Sequence, residues 1–373
     1  MTRSSEIVDT AAQAAEMSMP PLFVVEEVRR FLDGHALGRG ALEVRRIGEG
    51  QSNVTFRVLR EGADLVLRRG PRPPLPKSTH DMLREARVQQ ALATQGFPVP
   101  RIRAVCEDEG LLGVPFYVME HIEGDVITDE LPLRFVEADA DRRRLSSSLV
   151  ETLVQLHDID VGDPSVSALG RPEGYLERQV RRFAGLWPVN TRREIPLVEE
   201  LSRWLWENLP PTQRHAVIHG DYRMGNVMYA PSETPSEAGE VLAVLDWEMA
   251  TLGDPLADLG YLTATYAQPG ESSTVLELTS VTRMEGFHSR AELVEAYAQN
   301  SDLQLDALPW YQTMALWKAA IFCEAMYTRW LNGERPGDTF AEQLEEGVPQ
   351  LLERAREHSA QMPRGLKIKE TQI

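Results

Sequence analysis

The segment His219-Gly220-Asp221-Tyr222-Arg223-Met224-Gly225-Asn226, followed by Val244-Leu245-Asp246-Trp247-Glu248, decides how this chain is read. Asp221 and Asn226 lie five residues apart, and Asp246 comes twenty residues after the Asn. Asp246 closes an apolar run, Val241-Leu242-Ala243-Val244-Leu245, which reads as a buried strand. Phosphoryl transfer needs this set of groups. One Asp accepts or orients the proton of an attacking hydroxyl, while an Asn oxygen and another Asp hold the Mg²⁺ that neutralises nucleotide phosphates. Asp221 is thus the candidate catalytic base, and Asn226 and Asp246 are the candidate metal ligands.

Upstream, the rhythm is β. Leu42 to Ile47, Thr55 to Leu59 and Asp64 to Arg68 read as strands, the last two joined through Arg60-Glu61-Gly62-Ala63 as a hairpin. A helix is expected from about Thr79 to Thr94, ended by Gly96 and blocked by Pro98 and Pro100. Val99 to Val105 and Val114 to Met119 complete a small antiparallel sheet of five strands. Residues 22–35 have helical spacing, and residues 1–21 read as a mobile tail or frayed helix.

From residue 124 the period becomes mostly helical, with helices near 139–158, 173–186, 193–208, 254–267, 290–300, 307–332 and 338–358. One short β patch, at 216–218, 227–229 and 241–245, carries the Asp/Asn/Asp set. The expected fold is α+β and bilobal. A β-rich N-lobe (22–123) with one helix and a connector at 119–124 precedes a larger helical C-lobe (124–360) and a tail (361–373). Ligands favour the crevice of such an architecture.

Between the first two strands lies Gly48-Glu49-Gly50-Gln51-Ser52-Asn53. Glycines and small polar residues let backbone N–H groups approach phosphate oxygens, so Gly48, Gly50, Ser52 and Asn53 are candidate nucleotide contacts. Alone, such a turn is a hairpin device; its place upstream of the Asp/Asn/Asp set gives it the second reading. The third strand ends at Arg68-Arg69. Alternation puts Val66 and Arg68 on one face, where Arg68 would span nucleotide phosphates and pair with Glu85 on the following helix. Arg69 is the alternative register, and edge-strand arginines in solvent are the bland alternative. Glu248 reads equally as a metal or substrate contact and as the partner of a surface Arg.

His219 and His157 read as core histidines. Asp254, beside Pro255, reads as a helix cap, and Asp258 as a brace that accepts backbone N–H groups of the catalytic loop. The aromatic stripe Trp310, Tyr311, Trp317, Tyr327 and Trp330 has the spacing of a helix core.

With 39 Lys+Arg against 57 Asp+Glu, the net charge of −18 repels nucleic acid and anionic membrane, so neither is an expected partner. Two cysteines, Cys106 and Cys323, give no disulfide framework and suit a reducing cytoplasm. Glu6, Asp9 and Glu16 interrupt any apolar leader, and Lys318, Glu324 and Arg329 interrupt the longest apolar helix.

At these residues the chain resembles the aminoglycoside phosphotransferase and choline kinase group of the protein-kinase-like fold. Gly220 stands where protein kinases carry Arg, and Trp247-Glu248 where they carry Phe-Gly. Val217 to Val227, Leu245 to Tyr261, Leu67 to Pro71 and Gly50 to Asn53 look most like one branch. That branch is the kinase-like domain at the start of some acyl-CoA dehydrogenase fusion proteins, found also as stand-alone bacterial proteins. The resemblance covers residues 22–355. It implies ATP or GTP with Mg²⁺, backbone contacts from Glu120, His121 and Ile122 to the nucleotide base, and a small-molecule hydroxyl as acceptor, in a monomer or homodimer. The missing strand Lys keeps a nucleotide-binding pseudokinase as the alternative.

Overall fold

The computed structural model describes residues 6–48, 53–73, 80–136, 139–231, 239–335 and 337–363. The chain divides into two compact units. The first is Met1–Glu123 with Leu245–Glu248, and the second is Gly124–Val244 with Met249–Ile373. The short return of Leu245–Glu248 to the first unit has no counterpart in a contiguous division at residue 124.

The first unit begins with β1 (Ile7–Val8), α1 (Ala11–Ala15), β2 (Phe23–Val24) and α2 (Val25–Gly34). Its main sheet uses β3 (Arg39–Ile47), β4 (Val54–Glu61), β5 (Ala63–Arg69), β6 (Ile102–Cys106) and β7 (Phe116–Glu120). The helix α3 (Met82–Thr94) follows β5, and the single turn α4 (Glu109–Leu112) precedes β7. The five strands run in the order β3-β4-β5-β7-β6, every neighbouring pair antiparallel. β4 alternates buried Val54, Phe56 and Val58 with more exposed residues, the period-2 pattern of a sheet with unlike faces. Gly62 takes the left-handed conformation that the tight β4–β5 turn requires.

One face of this sheet presents Phe56, Leu65, Leu67, Phe116 and Val118 to Phe23, Val28 and Leu32. The Phe23 and Phe56 rings meet edge to face at 5.0 Å. The other face packs Tyr117 against Met82 and Ala86 of α3. That helix starts where the Asp81 carboxylate accepts the Arg84 N–H, three residues later than the sequence suggests.

The expected free tail is corrected here. β1 pairs in parallel with β2, and Thr10 and Gln13 form a capping box on α1. Val8 is buried, with Ile7, Ala14 and Met17 packed against the same core.

The second unit opens with β8 (Asp125–Val126), α5 (Leu133–Val136), α6 (Asp139–His157), α7 (Pro164–Ser167), α8 (Tyr175–Asn190) and α9 (Leu197–Glu207). Four short strands follow: β9 (Ala216–Ile218), β10 (Val227–Tyr229), β11 (Val241–Val244) and β12 (Thr251–Gly253). It ends with α10 (Leu256–Thr265), α11 (Arg290–Gln299), α12 (Leu308–Leu331), α13 (Thr339–Glu342) and α14 (Leu344–Ser359).

The expected single β patch is two sheets. β9 pairs with β12, while β10 lies between β11 and β8. β8 and β12 are too short to leave a periodic signal in the sequence. The helix expected over 338–358 is likewise two, α13 and α14. Trp310, Tyr311 and Trp317 of α12 are buried, and both indoles donate to backbone carbonyls, at Leu205 and Val198. No helix among the described residues is long and apolar enough to cross a membrane. Cys106 and Cys323 are both buried free thiols.

Candidate active site

In the second unit, β9 delivers the chain into the loop that starts at His219. Gly220 has φ +87°, and a Cβ there would stand 2.9 Å from Met249 Cβ, so both backbone conformation and space select glycine. Asp258, in the first turn of α10, is fully buried. Its two oxygens accept the N–H groups of His219 at 2.7 Å and Gly220 at 2.8 Å. Charge-assisted bonds to backbone fix where the loop begins. The same carboxylate lies 3.5 Å from His157 Nε2, whose Nδ1 meets the Tyr297 hydroxyl at 2.8 Å.

His219 Nδ1 accepts the Asp221 N–H at 3.2 Å, so the neutral ring carries its proton on Nε2. Both histidines are core groups, as their sequence context suggests.

Asp221 and Asn226 come together. Asn226 Nδ2 donates to the Asp221 backbone oxygen at 2.8 Å and to Asp221 Oδ2 at 2.9 Å. Both partners are acceptors, so the amide nitrogen must face them and the amide oxygen must face the opposite way. Asn226 itself is buried, in a 3₁₀ turn of Met224–Asn226. Arg223 Nε lies 3.6 Å from Asp221 Oδ1. Burial, then the adjacent Asp221 carboxylate, push the Tyr261 phenol well above its ordinary range.

In the first unit, Arg68 is the centre of a second charged cluster. Its Nε lies 3.1 Å from Glu85 on α3, and its Nη2 lies 2.5 Å from Asp246. Burial opposes the guanidinium charge, but Glu85, Tyr117, Asp246 and Glu248 outweigh it and hold the group firmly protonated. Burial raises the Glu85 carboxyl, and Arg68 opposes that rise. Asp246 adopts φ +65°, a left-handed conformation rare for a side chain other than glycine.

The neighbouring Trp247 is fully buried and meets Phe97 edge to face at 5.8 Å. That packing, with the Arg68–Asp246 and Asn53–Glu248 contacts, ties Leu245–Glu248 to the first unit.

The register between Arg68 and Arg69 is decided by burial. Arg69 is completely buried on the opposite face and donates to the carbonyls of Leu22, Gly70 and Leu112. It ties backbone together, while Arg68 stands with Glu85 and Asp246.

The Asn53 side chain is engaged within the first unit. Its Nδ2 donates to Glu248 at 2.9 Å, and its Oδ1 meets His80 Nδ1 at 2.8 Å. Glu248 thus accepts from the Asn53 amide and also lies within electrostatic reach of Arg68. Gly48 has φ +73°, and Gly50 and Ser52 lie outside the described residues.

Two N–H groups of the expected hinge already have backbone partners. The Glu120 N–H donates to the Arg101 carbonyl and the His121 N–H to the Asp64 carbonyl, so neither is spare for a nucleotide base. Ile122 follows beyond the strand.

Three residues beside these groups escaped the sequence reading. Tyr261 lies one helical turn after Asp258, a spacing that signals a shared face. Arg223 lies within the motif itself. His80 carries no local signal. Among the described residues, no cluster of three or more His, Cys, Asp or Glu side chains is arranged to hold a metal ion. Mg²⁺ bound with a nucleotide does not need one, since phosphate oxygens and water complete its shell.

Residues 43–299 match the model of the phosphotransferase enzyme family. Acyl-CoA dehydrogenase family member 11 of Gallus gallus is 36% identical over 330 residues, covering 87% of this chain and 41% of the relative. The chain thus spans about two fifths of that relative's length. Among solved structures, a Ralstonia eutropha JMP134 protein provisionally described as an aminoglycoside phosphotransferase is 27% identical. It aligns at TM-score 0.74 over 91% of this chain and 99% of its own. A thermostable mutant of aminoglycoside phosphotransferase APH(4)-Ia, in complex with ADP and hygromycin B, shares the fold at 14% identity. Its TM-score is 0.59, over 90% of this chain and 98% of its own.

Proposed function

This chain belongs to the phosphotransferase enzyme family, and from that premise we propose that it moves the γ-phosphoryl group of ATP, or GTP, onto a hydroxyl of a small molecule. The observation that carries this reading is the Asp221–Asn226 pair. The Asn nitrogen holds one carboxylate oxygen of Asp221 and leaves the amide oxygen facing elsewhere. In this assignment Asp221 orients the acceptor hydroxyl and takes its proton. Asn226 through Oδ1 and Asp246 through its carboxylate are the Mg²⁺ ligands, hard oxygens of the kind that ion takes. Mg²⁺, when bound, supplies charge neutralisation at the nucleotide phosphates. Arg68, kept cationic and oriented by Glu85, binds the phosphates in place of the usual Lys. That cation supports transfer over the pseudokinase alternative, whose motive was the missing strand Lys.

Two acceptor classes have specific motives. The acyl-CoA dehydrogenase relatives point to hydroxyacyl-CoA derivatives, and the hygromycin B complex of the structural neighbour points to aminoglycosides. The buried free thiols suit a cytosolic enzyme.

The direct experiment is a phosphoryl-acceptor screen with Mg-ATP and Mg-GTP over hydroxyacyl-CoAs, aminoglycosides, amino alcohols and sugars, read as mass gain. We expect one class to gain a phosphoryl group. Tight nucleotide binding with no transfer to any acceptor or to water would return the reading to a nucleotide sensor.

A further inference from the structure

Arg223 lies in the middle of the loop motif, and the sequence gives it no role. Its guanidinium folds back across Gly225. A Cβ at position 225 would collide with Arg223 Nη1 and stand 3.3 Å from its Cζ. Gly225 has no left-handed φ, and a side chain at that position would displace the Arg223 guanidinium and press on Thr128 Cγ2 at 3.2 Å. The folded-back arm brings Nε to 3.6 Å from Asp221 Oδ1, and neither of those two buried atoms has a hydrogen-bond partner among the described residues. The other carboxylate oxygen is held by Asn226. Asp221 is therefore flanked by the Asn226 amide, by the Arg223 guanidinium and by the Tyr261 hydroxyl.

We propose that Arg223 is a positioning residue for Asp221, admitted to its place by the missing side chain of Gly225. With Asn226 it fixes the plane of the Asp221 carboxylate. This role rests on the phosphotransferase reading. The clamp itself is a property of the loop and is measurable without turnover. A misplacement of about 1 Å in a positioned group costs on the order of 10²-fold in rate, which sets the scale of the effect.

The test has two arms on the full chain. In the first, [¹⁵N]arginine labelling reads the Arg223 Nε–H resonance, identified by its loss in Arg223→Gln. Asp221→Asn and Gly225→Ala should each move it toward free arginine and speed its exchange with water. An unchanged resonance in both variants overturns the proposal.

In the second, Arg223→Gln and Gly225→Ala should each lower kcat by roughly 10–100-fold, with acceptor KM and nucleotide affinity little changed. The double variant should be no worse than the more damaged single, because both remove one interaction. Losses that add, or a loss confined to acceptor KM, overturn the proposal. Arg223→Lys, which keeps the charge without the planar fork, should recover only part of kcat and stands in if Gly225→Ala fails to fold. A wild-type chain without transfer to any acceptor would sink the functional reading, while the resonance would still decide the clamp.

Discussion

Around Arg68 the first unit joins side chain to side chain, whereas around Asp221 the second unit adds bonds from side chain to backbone. Arg68 touches Glu85 and Asp246, and Asn53 links Glu248 to His80. In the second unit Asp258 accepts the N–H groups of His219 and Gly220, and Asn226 donates to the backbone of Asp221. Long charged side chains retain rotamer freedom and exchange partners when an anion arrives. A loop held through its own peptide groups moves only by breaking those bonds. In the proposed assignment the first is the phosphate-binding cluster, free to exchange partners, and the second is the base on a pinned loop.

The comparison can be broken most sharply at Asp221. Asp221→Asn should reduce turnover by about 10²–10⁴-fold while leaving nucleotide affinity nearly intact. Steady-state rates beside calorimetry with Mg-ATP read both quantities, and unchanged turnover would remove Asp221 as the base.

The next effect in size concerns what fastens Asp246 to the first unit. Trp247→Ala empties a fully buried site against Phe97 and should cost about 3–5 kcal/mol in denaturant unfolding. A cost near zero would mean that the anchor lies elsewhere.

A buried acid at the head of α10 sharpens the picture of the rigid region. Burial raises the Asp254 carboxyl to about 6, against the hydrogen bonds from Tyr311 and Leu256. The folded state thus binds the proton more tightly than the unfolded state. Its contribution to stability is complete below the unfolded pKa and declines as pH rises through about 6. Asp254→Asn should flatten that decline, worth up to about 3 kcal/mol, in unfolding curves taken between pH 4 and 7. A wild-type curve already flat there would contradict the assignment.

Smallest is Asp258→Asn, which leaves one oxygen to accept and turns an NH₂ toward the other backbone N–H. A stability loss of about 1–3 kcal/mol is expected, together with faster amide exchange at His219 and Gly220. Protection unchanged at those two amides would show that Asp258 does not hold the loop.

Some of this was legible from residues alone. The Gly62 hairpin, the buried alternation of β4 and the body of α3 each follow from periods and turns within a few residues. The Asp221–Asn226 pair was legible for the same reason, since five residues of one loop bring the two side chains together. The brace from Asp258 was readable because an acid in the first turn of a helix seeks N–H groups. The parallel pairing of β1 with β2 was not, because two-residue strands carry no period. The engagement of Asn53 by Glu248 was hidden too, as 195 residues separate them in sequence.

The longer strands and helices and the residue set of the loop motif were thus written in the sequence, because each depends on neighbours along the chain. Only tertiary structure chose Arg68 over Arg69, returned Trp247 and Asp246 to the first unit, and laid Arg223 across Gly225. Those outcomes depend on which face becomes buried and on what space a missing side chain leaves, and neither quantity exists until the chain has packed.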